Sequence, residues 1–572
     1  MDKRWGPLRH GKVKAADSQG SAPGSPPTAR TNGTRILVIG GGYVGMYTAL
    51  HLQRKLKREL ARNDVEVMVI TPEPYMTYQP FLPEAAAGSI SPRHVVVPLR
   101  RVLDKCKILI GEATSIDHAK RTATVNTLAS AEEGTGAVEV PYDELVIAPG
   151  SISRTLPVPG LADYGVGFKT VEEAIGLRNH VIEQMDIASS TRDPAIRDAA
   201  LTFVFVGGGY AGVEALGELE DMARYTSRYY HNIKPEDLRW ILVEASDRIL
   251  PEVGEEMGKY AIRELRSRNI DVRLRTRLDS CANRVAVLSD GSRFPTRTVV
   301  WTAGVKPAPV LMATDLPRNE RGRLNCTAEL AIAGTEHAWA AGDAAAVPDV
   351  TSASPGAECA PNAQHAVRQT RVLADNIVAS LRGEPLKEYA HKYVGSVASL
   401  GLHRGVAHVY GRKVKGYPAW LMHRVYHLSR VPTFNRKARV LAEWTLAGLF
   451  KREIVSLGSL EHPRAEFEVA AGGNRPGHGP DGAPRRPHGG PHQPTSPPGR
   501  HPGPSTRPAP TAKEPPTSQR NLPPEKPDTP DLNRNQAQGR DSAPDQEHRP
   551  ANDRDQRSGP TDEPPSVDPR EG

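Results

Sequence analysis

Two glycine-rich turns of the pattern G-x-G-x-x-G stand out, because each follows a short apolar strand and opens a helix. Their glycines are Gly40, Gly42 and Gly45 in the first turn, and Gly207, Gly209 and Gly212 in the second. In such a turn the first glycine permits a tight bend, the second admits a pyrophosphate, and the third allows the helix to pack closely on the strand. The helix N-terminus then directs partial positive charge at the phosphates. The pair of turns therefore predicts two dinucleotide sites.

Acidic residues after the second strand of each unit indicate which dinucleotide binds, because a carboxylate there usually holds the ribose hydroxyls. In the second unit this position is held by Glu244. Its carboxylate favours NADH, since it would repel the 2′-phosphate of NADPH. The nearby Arg248 weakens that repulsion. In the first unit the place is taken by Thr71, with Glu73 two residues on. Either side chain can hydrogen-bond a ribose.

A further carboxylate, Asp343, follows an apolar strand directly after Gly342. The glycine permits close approach of a ligand, and the carboxylate can accept hydrogen bonds from a polyhydroxyl chain. A carboxylate at the start of a helix can equally be a simple N-cap. Spacing alone leaves both interpretations of Asp343 open.

Composition limits the folded part of the 572 residues to about 34–466. Residues 1–33 lack apolar periodicity, and from residue 471 onward the chain holds 24 of its 52 prolines and no Phe, Trp or Tyr. Such segments cannot bury enough apolar surface to offset their ordering entropy, so we predict that both are disordered. The remainder suffices for two nucleotide-binding domains and an extra module.

The charge and the cysteine positions argue against several classes of partner and site. The net charge of +8 is spread along the chain and no nucleic-acid motif is present, so we expect no nucleic-acid partner. The four cysteines, at positions 106, 281, 326 and 359, form neither a C-x-x-C pair nor a metal-ligand pattern. With no signal peptide and no apolar run of about 20 residues, we expect an intracellular protein that meets a membrane only at its surface.

The order of the motifs GGGYVG, YDELVIAPGS, VGGGYAGVEALGEL, VEASDRILP, WTAGV and AAGD resembles the two-dinucleotide-fold flavoproteins. The resemblance implies an α/β fold with two Rossmann-like domains, FAD at the first glycine turn, NADH at the second, and Asp343 on the ribityl chain of FAD. It also implies further cofactor contacts from these motifs, namely Gly150, Glu214, Gly304 and Gly342.

Two segments narrow the resemblance to the type II NADH:quinone oxidoreductases. Residues 70–88 are similar to the family loop Y-x-x-F-Q-P-L-L-x-x-x-A-x-G, with Gln79 and Pro80 beside the cofactor and Tyr78 where the family has Phe. Residues 359–369 are similar to the family helix start A-Q-x-A-x-x-Q, which holds Ala363 and Gln364. The family passes a hydride from NADH to FAD and two electrons to a membrane quinone, menaquinone or ubiquinone, without pumping protons.

Two residues are candidates for quinone chemistry. The match to K-x-x-E-[DE]-A implies a functional role for Glu172; from the residues alone it is a first-turn carboxylate that suits the helix dipole. The amide of Gln364 can hydrogen-bond a quinone carbonyl, or it can serve as a partner in capping its helix.

The C-terminal module contains two predicted helices, at residues 416–428 and 432–450, with an apolar stripe and flanking basic residues. The first stripe is formed by Trp420, Leu421, Val425 and Leu428. Such helices suit the plane of an anionic membrane, whereas their periodicity alone fits a helix pair that caps the globule or forms a dimer interface. The resemblance implies peripheral attachment at the cytoplasmic face of the cell membrane, and a homodimer through this module.

The resulting domain prediction has six segments: disordered 1–33, FAD-binding 34–157, NADH-binding 158–304, FAD-binding 305–385, membrane-associated module 386–464, and disordered Pro-rich tail 465–572. Three alternatives remain. A sulfide:quinone oxidoreductase would need cysteines at the flavin, of which only Cys359 is near a suitable helix. Another NAD(P)H-dependent flavin reductase, or a redox sensor that binds partners through its tail, are the others.

Overall fold

The computed structural model describes residues 33–391, 394–450 and 454–456, and this part is built on two sheets that each carry one glycine turn. The predicted disordered tails, 1–33 and 465–572, lie outside the described residues except for Gly33, and so does the end of the predicted C-terminal module. The predicted α/β class is confirmed. The domain boundaries at 157, 304 and 385 remain predictions.

The first sheet has seven strands, and the first glycine turn follows an inner strand, Thr34–Ile39. Ile36, Leu37 and Val38 in that strand are fully buried, as expected for a parallel strand covered by helices on both faces. Five neighbouring strands are parallel. The last of these, Lys107–Asp117, forms an antiparallel meander with the remaining two strands. In spatial order the strands are Ala338–Ala340, Glu144–Ile147, Thr34–Ile39, Val65–Thr71, Lys107–Asp117, Thr122–Thr127 and Val138–Pro141.

The strand Ala338–Ala340 brings a late part of the chain back to this first sheet, where it pairs with Glu144–Ile147. The buried carboxylate of Glu144 accepts a hydrogen bond from the Trp339 indole at 2.7 Å and thereby ties the two strands together. The residues that follow the late strand, Gly342 and Asp343, therefore emerge at the same carboxyl edge as the first glycine turn.

The second sheet is fully parallel and carries the second glycine turn after the strand Thr202–Val206. Phe203 stacks on Trp240 of the neighbouring strand, with ring centroids 4.4 Å apart. Its strands are, in spatial order, Gly165–Val166, Thr298–Trp301, Thr202–Val206, Arg239–Val243 and Ile270–Arg273. Smaller antiparallel groups are Leu278–Ser280 with Val285–Leu288 and Arg293–Pro295, Ser151–Ser153 with Val305–Pro307, and Tyr75–Thr77 with Val96–Pro98; Leu324–Asn325 pairs in parallel with Ala345–Ala346.

The helix Val171–Ser190 begins directly after Thr170, which forms a capping box with Glu173. The long helices are Tyr43–Lys55, Val171–Ser190, Tyr210–Thr226, Glu255–Arg266, Ala363–Arg382, Tyr417–Arg430 and Phe434–Leu449. The short ones are Lys57–Arg62, Leu82–Ala86, Pro92–Val95, Leu99–Val102, Leu128–Glu133, Leu161–Tyr164 and Pro194–Ala200.

The C-terminal module consists of a three-stranded antiparallel sheet, Gly395–Ser399, Gly405–Val409 and Arg412–Lys415, followed by two helices. We call Tyr417–Arg430 and Phe434–Leu449 the C-terminal helix pair. Among the described helices, none combines the length and apolar character needed to cross a bilayer.

The prediction that Trp420, Leu421 and Val425 share one face of the first of these helices is wrong. Trp420 is 7% exposed and packs inward, whereas Leu421 and Val425 are 45% and 58% exposed. The physical reason is Arg424, which is buried on the inward side between the rings of Trp420 and Trp444, 4.4 and 4.7 Å from their centroids. The tryptophans therefore hold the module to the globule, and other apolar residues face outward.

Candidate functional site

A cavity of about 2040 Å³ lies along the carboxyl edge of the first sheet, and its wall extends to the C-terminal helix pair. Most of the predicted site residues line it: Gly40, Gly42, Thr71, Glu73, Gln79, Pro80, Gly150, Glu172, Glu214, Gly304, Asp343, Ala363 and Gln364. The remaining ones lie outside its wall: Gly45, Gly207, Gly209, Gly212, Glu244 and Gly342.

The first glycine turn has the geometry that its three glycines require. Gly40 has a φ of 106°, and a Cβ there would lie 2.1 Å from the Ala148 carbonyl oxygen. A Cβ on Gly45 would lie 1.7 Å from the carbonyl oxygen of Gly40, so the helix touches the turn. By contrast, nothing lies within 4 Å of where a Cβ on Gly42 would stand. The helix N-terminus thus has open space before it, which fits a phosphate group.

The second glycine turn repeats this geometry. Gly207 has a φ of 116°, and a Cβ on Gly212 would lie 2.1 Å from the Gly207 carbonyl oxygen. The position beside Gly209 is again open. The Glu244 carboxylate is fixed beside this turn, since it accepts hydrogen bonds from the backbone N–H groups of Gly208 at 2.5 Å and Ser246 at 2.7 Å. This is a rigid acceptor where a ribose would bind.

The corresponding place in the first unit holds both predicted candidates. The hydroxyl of Thr71, which is buried, donates a hydrogen bond to the Glu73 carbonyl oxygen at 3.1 Å. Thr71 therefore offers a ligand only acceptor capacity, while the Glu73 side chain is exposed on the cavity wall. Their roles toward a ribose remain predictions.

Asp343 takes part in a chain of polar side chains inside the cavity. Its carboxylate accepts a hydrogen bond from the Ser151 hydroxyl at 2.6 Å, and Ser151 accepts one from the Lys169 ammonium at 2.8 Å. Burial lowers the pKa of Lys169, while the carboxylates of Asp343 and Glu173 act in the opposite direction. Sequence reasoning missed Ser151 and Lys169, although both stand within or next to the motifs that it used.

The capping alternative for Asp343 is wrong. The residue lies in a single 3₁₀ turn, Gly342–Ala344, that has no side-chain cap, and the next α-helix begins only at Ala363. The tight turn is possible because Gly342 has a φ of 69°. Asp343 therefore does not cap a helix, and it lines the cavity.

Glu172 lies in the first turn of its helix, as predicted, and also lines the cavity. The capping box uses Thr170 and Glu173, while the Glu172 carboxylate accepts a hydrogen bond from the Tyr75 hydroxyl at 2.5 Å. Partial burial acts to raise the pKa of Glu172, but hydrogen bonds from Tyr75, the backbone and Thr170 hold that pKa below its usual value. The group is an ionised carboxylate paired with a phenol at neutral pH.

Gln364 bridges to the C-terminal module. Its amide nitrogen donates a hydrogen bond to the Gly395 carbonyl oxygen at 3.0 Å. The alternative of a cap partner is wrong, because Asn362 caps this helix by accepting a hydrogen bond from the His365 N–H at 3.0 Å. An amide nitrogen carries two hydrogens, so one remains for a ligand.

Glu214 and Gln79 have protein partners that the sequence did not indicate. The buried carboxylate of Glu214 accepts a hydrogen bond from the Ser399 N–H at 3.0 Å and lies 3.1 Å from Nε2 of His423. The Gln79 amide reaches the Lys169 carbonyl oxygen at 3.4 Å. Both residues line the cavity, and their predicted contacts with a cofactor remain predictions.

Comparison with known proteins shows the family to which this chain is similar. The sequence model of the family "Pyridine nucleotide-disulphide oxidoreductase" matches residues 34–370. A type II NADH:quinone oxidoreductase of Mycobacterium tuberculosis is 30% identical over 449 residues, covering 75% of this chain and 92% of that protein. One of Staphylococcus haemolyticus is 29% identical over 401 residues, covering 68% and 93%.

A solved structure shares the fold at low sequence identity. NDH2 of Plasmodium falciparum, determined in complex with NADH, superposes with a TM-score of 0.67 at 16% identity and covers 74% of this chain and 99% of that chain. At this identity the likeness concerns the fold alone.

Substitution of Gly42 and Gly40 should separate cofactor binding from folding. Gly42→Ala should keep the melting temperature and lose bound flavin, because its methyl group enters the open space before the helix. Gly40→Ala should destabilise the fold, because its Cβ would lie 2.1 Å from the Ala148 carbonyl oxygen. Flavin absorbance after desalting and thermal unfolding measure the two effects. The control is Gly176→Ala, also in open space but away from the cavity; flavin retention by Gly42→Ala would contradict the assignment.

Substitution of Glu244 should relax the choice of nucleotide. Glu244→Gln keeps an acceptor for the Gly208 N–H but removes the charge that repels a 2′-phosphate. We expect the ratio of kcat/KM for NADPH to that for NADH to rise about 10-fold, equivalent to about 1.4 kcal/mol. Glu236→Gln, which removes an exposed carboxylate before the opposite end of the strand Arg239–Val243, is the control and should leave the ratio unchanged. An unchanged ratio in Glu244→Gln would show that this carboxylate does not select the nucleotide.

Proposed function

This chain belongs to the type II NADH:quinone oxidoreductases, within the pyridine nucleotide-disulphide oxidoreductase family, and we propose that its cavity joins an FAD site to a quinone site at a membrane surface. It is an FAD-dependent enzyme that oxidises NADH and reduces a quinone. The observation that carries the proposal is the continuous cavity, whose wall contains the first glycine turn, Asp343, Glu172 and the C-terminal helix pair.

The residues present fit FAD. The open space at Gly42 would receive the pyrophosphate, Thr71 or Glu73 the ribose, and Asp343 a hydroxyl of the ribityl chain. Asp343 is already held by Ser151, so its carboxylate is oriented before a ligand arrives. FAD, when bound, supplies the two-electron carrier between nucleotide and quinone.

The protein's own residues supply position and charge in this reaction. Glu244 orients the NADH ribose beside the second glycine turn, and the buried ammonium of Lys169 places a positive charge in the cavity. A positive charge stabilises electron density that accumulates nearby, and it does so more strongly away from bulk water. Lys169 is therefore suited to hold negative charge during the transfer of electrons.

The quinone end of the cavity is proposed to lie beneath the C-terminal helix pair. Tyr47, Met422 and Tyr426 contribute aromatic and apolar wall there, and Gln364 offers an amide hydrogen. Each quinone oxygen gains a proton on reduction, so a titratable group must be in reach. The Glu172–Tyr75 pair fits that role: Glu172 can take up a proton from solvent and release it to the quinone oxygen, while the Tyr75 hydroxyl, 2.5 Å away, holds the carboxylate in place.

We further propose that the C-terminal helix pair binds a membrane surface at the cytoplasmic face. Its outward residues include large apolar side chains, with Phe434 at 85% exposure. The others are Leu421, Val425, Leu441, Leu446, Leu449 and Phe450. The exposed Arg439 lies among them, which favours an anionic surface. A homodimer through the same module stays a prediction.

The sulfide:quinone alternative finds no support in the cavity. None of the four cysteines lines its wall, and burial raises the pKa of the Cys359 thiol to about 11. Reactive thiolates occur where that pKa is lowered.

The flavin-loaded protein should oxidise NADH with soluble menaquinone or ubiquinone analogues, and Glu172→Gln should lower the quinone kcat by about 100-fold through loss of a proton-transferring group. Reduction of the bound flavin by NADH, followed by stopped-flow absorbance, should stay unchanged. Glu173→Gln is the matched variant: it weakens the capping box and should lower the melting temperature with little change in quinone kcat. Absence of turnover with every quinone analogue in the unaltered protein would refute the proposed function.

Phe434→Asp should weaken membrane binding. Withdrawing one fully inserted Phe costs about 1.5–3 kcal/mol, which corresponds to about a 10- to 100-fold weaker partition. Flotation with phosphatidylglycerol vesicles measures this change. Leu128→Asp is the control, since Leu128 is 68% exposed on a helix outside the C-terminal pair. Equal flotation of both variants would contradict membrane docking through Phe434.

A further inference from the structure

Two histidines one turn apart on the helix Tyr417–Arg430 connect the globule with the quinone end of the cavity. His423 is only 2% exposed, and His427 lines the cavity wall. Their rings meet edge to face, with centroids 4.4 Å apart. Neither belongs to a motif used in the sequence analysis, and neither has a part in the proposed function above.

Each histidine also contacts a titratable residue from another element. Nε2 of His423 lies 3.1 Å from the Glu214 carboxylate, and Nδ1 of His427 lies 3.2 Å from the Tyr78 hydroxyl. The contact between His423 and Glu214 is short enough for an ion pair, but its angles are not those of a hydrogen bond. Neither ring nitrogen of His423 has a hydrogen-bond partner among the described residues. Together the four side chains form a buried row: Glu214, His423, His427 and Tyr78.

Tyr78 is the residue at which this chain departs from the family loop, which has Phe in that position. Its ring is buried against Phe81, with centroids 5.2 Å apart, as a Phe ring would be. Only the hydroxyl is additional, and that hydroxyl contacts His427. The departure therefore adds a proton-carrying group where a histidine can use it.

We propose that the pair His427–Tyr78, here called the proton relay, delivers a proton to one oxygen of the quinone; this rests on the proposed function. The overall reaction of NADH, a proton and a quinone gives NAD⁺ and a quinol. The hydride of NADH supplies both electrons and one of the two hydrogens that the quinol gains. The relay supplies the second hydrogen, as a proton from solvent. Glu172 and Tyr75 serve the other oxygen.

The bonds in the relay balance at each step. The Tyr78 O–H bond breaks as an O–H bond forms on the quinone, and the Tyr78 oxygen regains a hydrogen from His427 Nδ1. His427 then takes a proton at its other nitrogen from solvent, because it lines the cavity wall. Neither ring nitrogen of His423 has a hydrogen-bond partner among the described residues, so His423 and Glu214 do not carry the proton. A neutral imidazole suits this passage, since it has one donor and one acceptor nitrogen.

The surroundings keep His427 in that neutral state. Burial lowers the pKa of His427 well below its usual value, and the neighbouring His423 lowers it further. Other titratable groups facing the row are Tyr43 and Tyr47 from the first glycine-turn helix and Tyr426 and Arg430 from the same helix. Glu84 lies near but contacts Arg424 at 3.2 Å.

The test compares two electron acceptors in the full-length flavin-loaded protein. Ferricyanide accepts electrons without protons, whereas a soluble quinone analogue needs both. Tyr78→Phe and His427→Gln should each lower the quinone kcat by about 100-fold with an unchanged quinone KM, and leave NADH–ferricyanide turnover unchanged. The solvent deuterium isotope effect on the quinone reaction should change in both variants. His231→Gln, an exposed histidine outside the cavity, is the matched control.

Tyr78→Phe keeps the ring and restores the family residue, so its fold should be preserved even if His427→Gln loosens the helix. Quinone kcat and isotope effect equal to those of the unaltered protein in Tyr78→Phe would overturn the relay. Equal loss with quinone and ferricyanide would also overturn it, because that pattern indicates a structural role. An unaltered protein that reduced ferricyanide but no quinone would instead overturn the proposed function, and the relay with it.

Discussion

The contact between Gly45 and the carbonyl oxygen of Gly40 is the constraint on which the rest of this structure depends. A side-chain carbon at Gly45 would lie 1.7 Å from that oxygen, so a helix can follow the strand this closely only with glycine there. The close approach points the helix N-terminus along the carboxyl edge of the first sheet. Because parallel strands end at one edge, Ser151 and Asp343 meet there although they are far apart in the chain.

A second constraint is the need of buried polar groups for partners. Glu84 accepts a hydrogen bond from the Trp444 indole at 2.7 Å and lies 3.2 Å from the guanidinium of Arg424. A buried charge that loses its partner is strongly destabilising. The C-terminal helix pair is thereby held against the aromatic loop, residues 72–88, and closes the cavity at that end. The same helices leave large apolar side chains exposed on their outward face.

The cavity combines three chemically different walls. The carboxyl edge of the first sheet offers backbone N–H groups and the Asp343 carboxylate, the helix start at Val171 offers Lys169 and Glu172, and the helix pair offers aromatic rings and imidazoles. A nucleotide, a charged reaction centre and an apolar quinone need these three surroundings in turn. The Tyr78 hydroxyl ties the third wall to the aromatic loop, so the quinone end carries a titratable pair in an otherwise apolar setting.

The sequence by itself determined the α/β class, the two glycine turns, the family and the cofactors, because these depend on local spacing and on the conformational freedom of glycine. It also identified Glu172 and Asp343 as candidates, but it left Asp343 with a capping alternative that only the tertiary structure could exclude. The inward turn of Trp420, the Ser151–Lys169 contact and the row from Glu214 to Tyr78 were decided by tertiary structure alone. Helical periodicity indicates that one face is buried, whereas which face depends on buried charges such as Glu84 and Glu214, which come from elements distant in the chain.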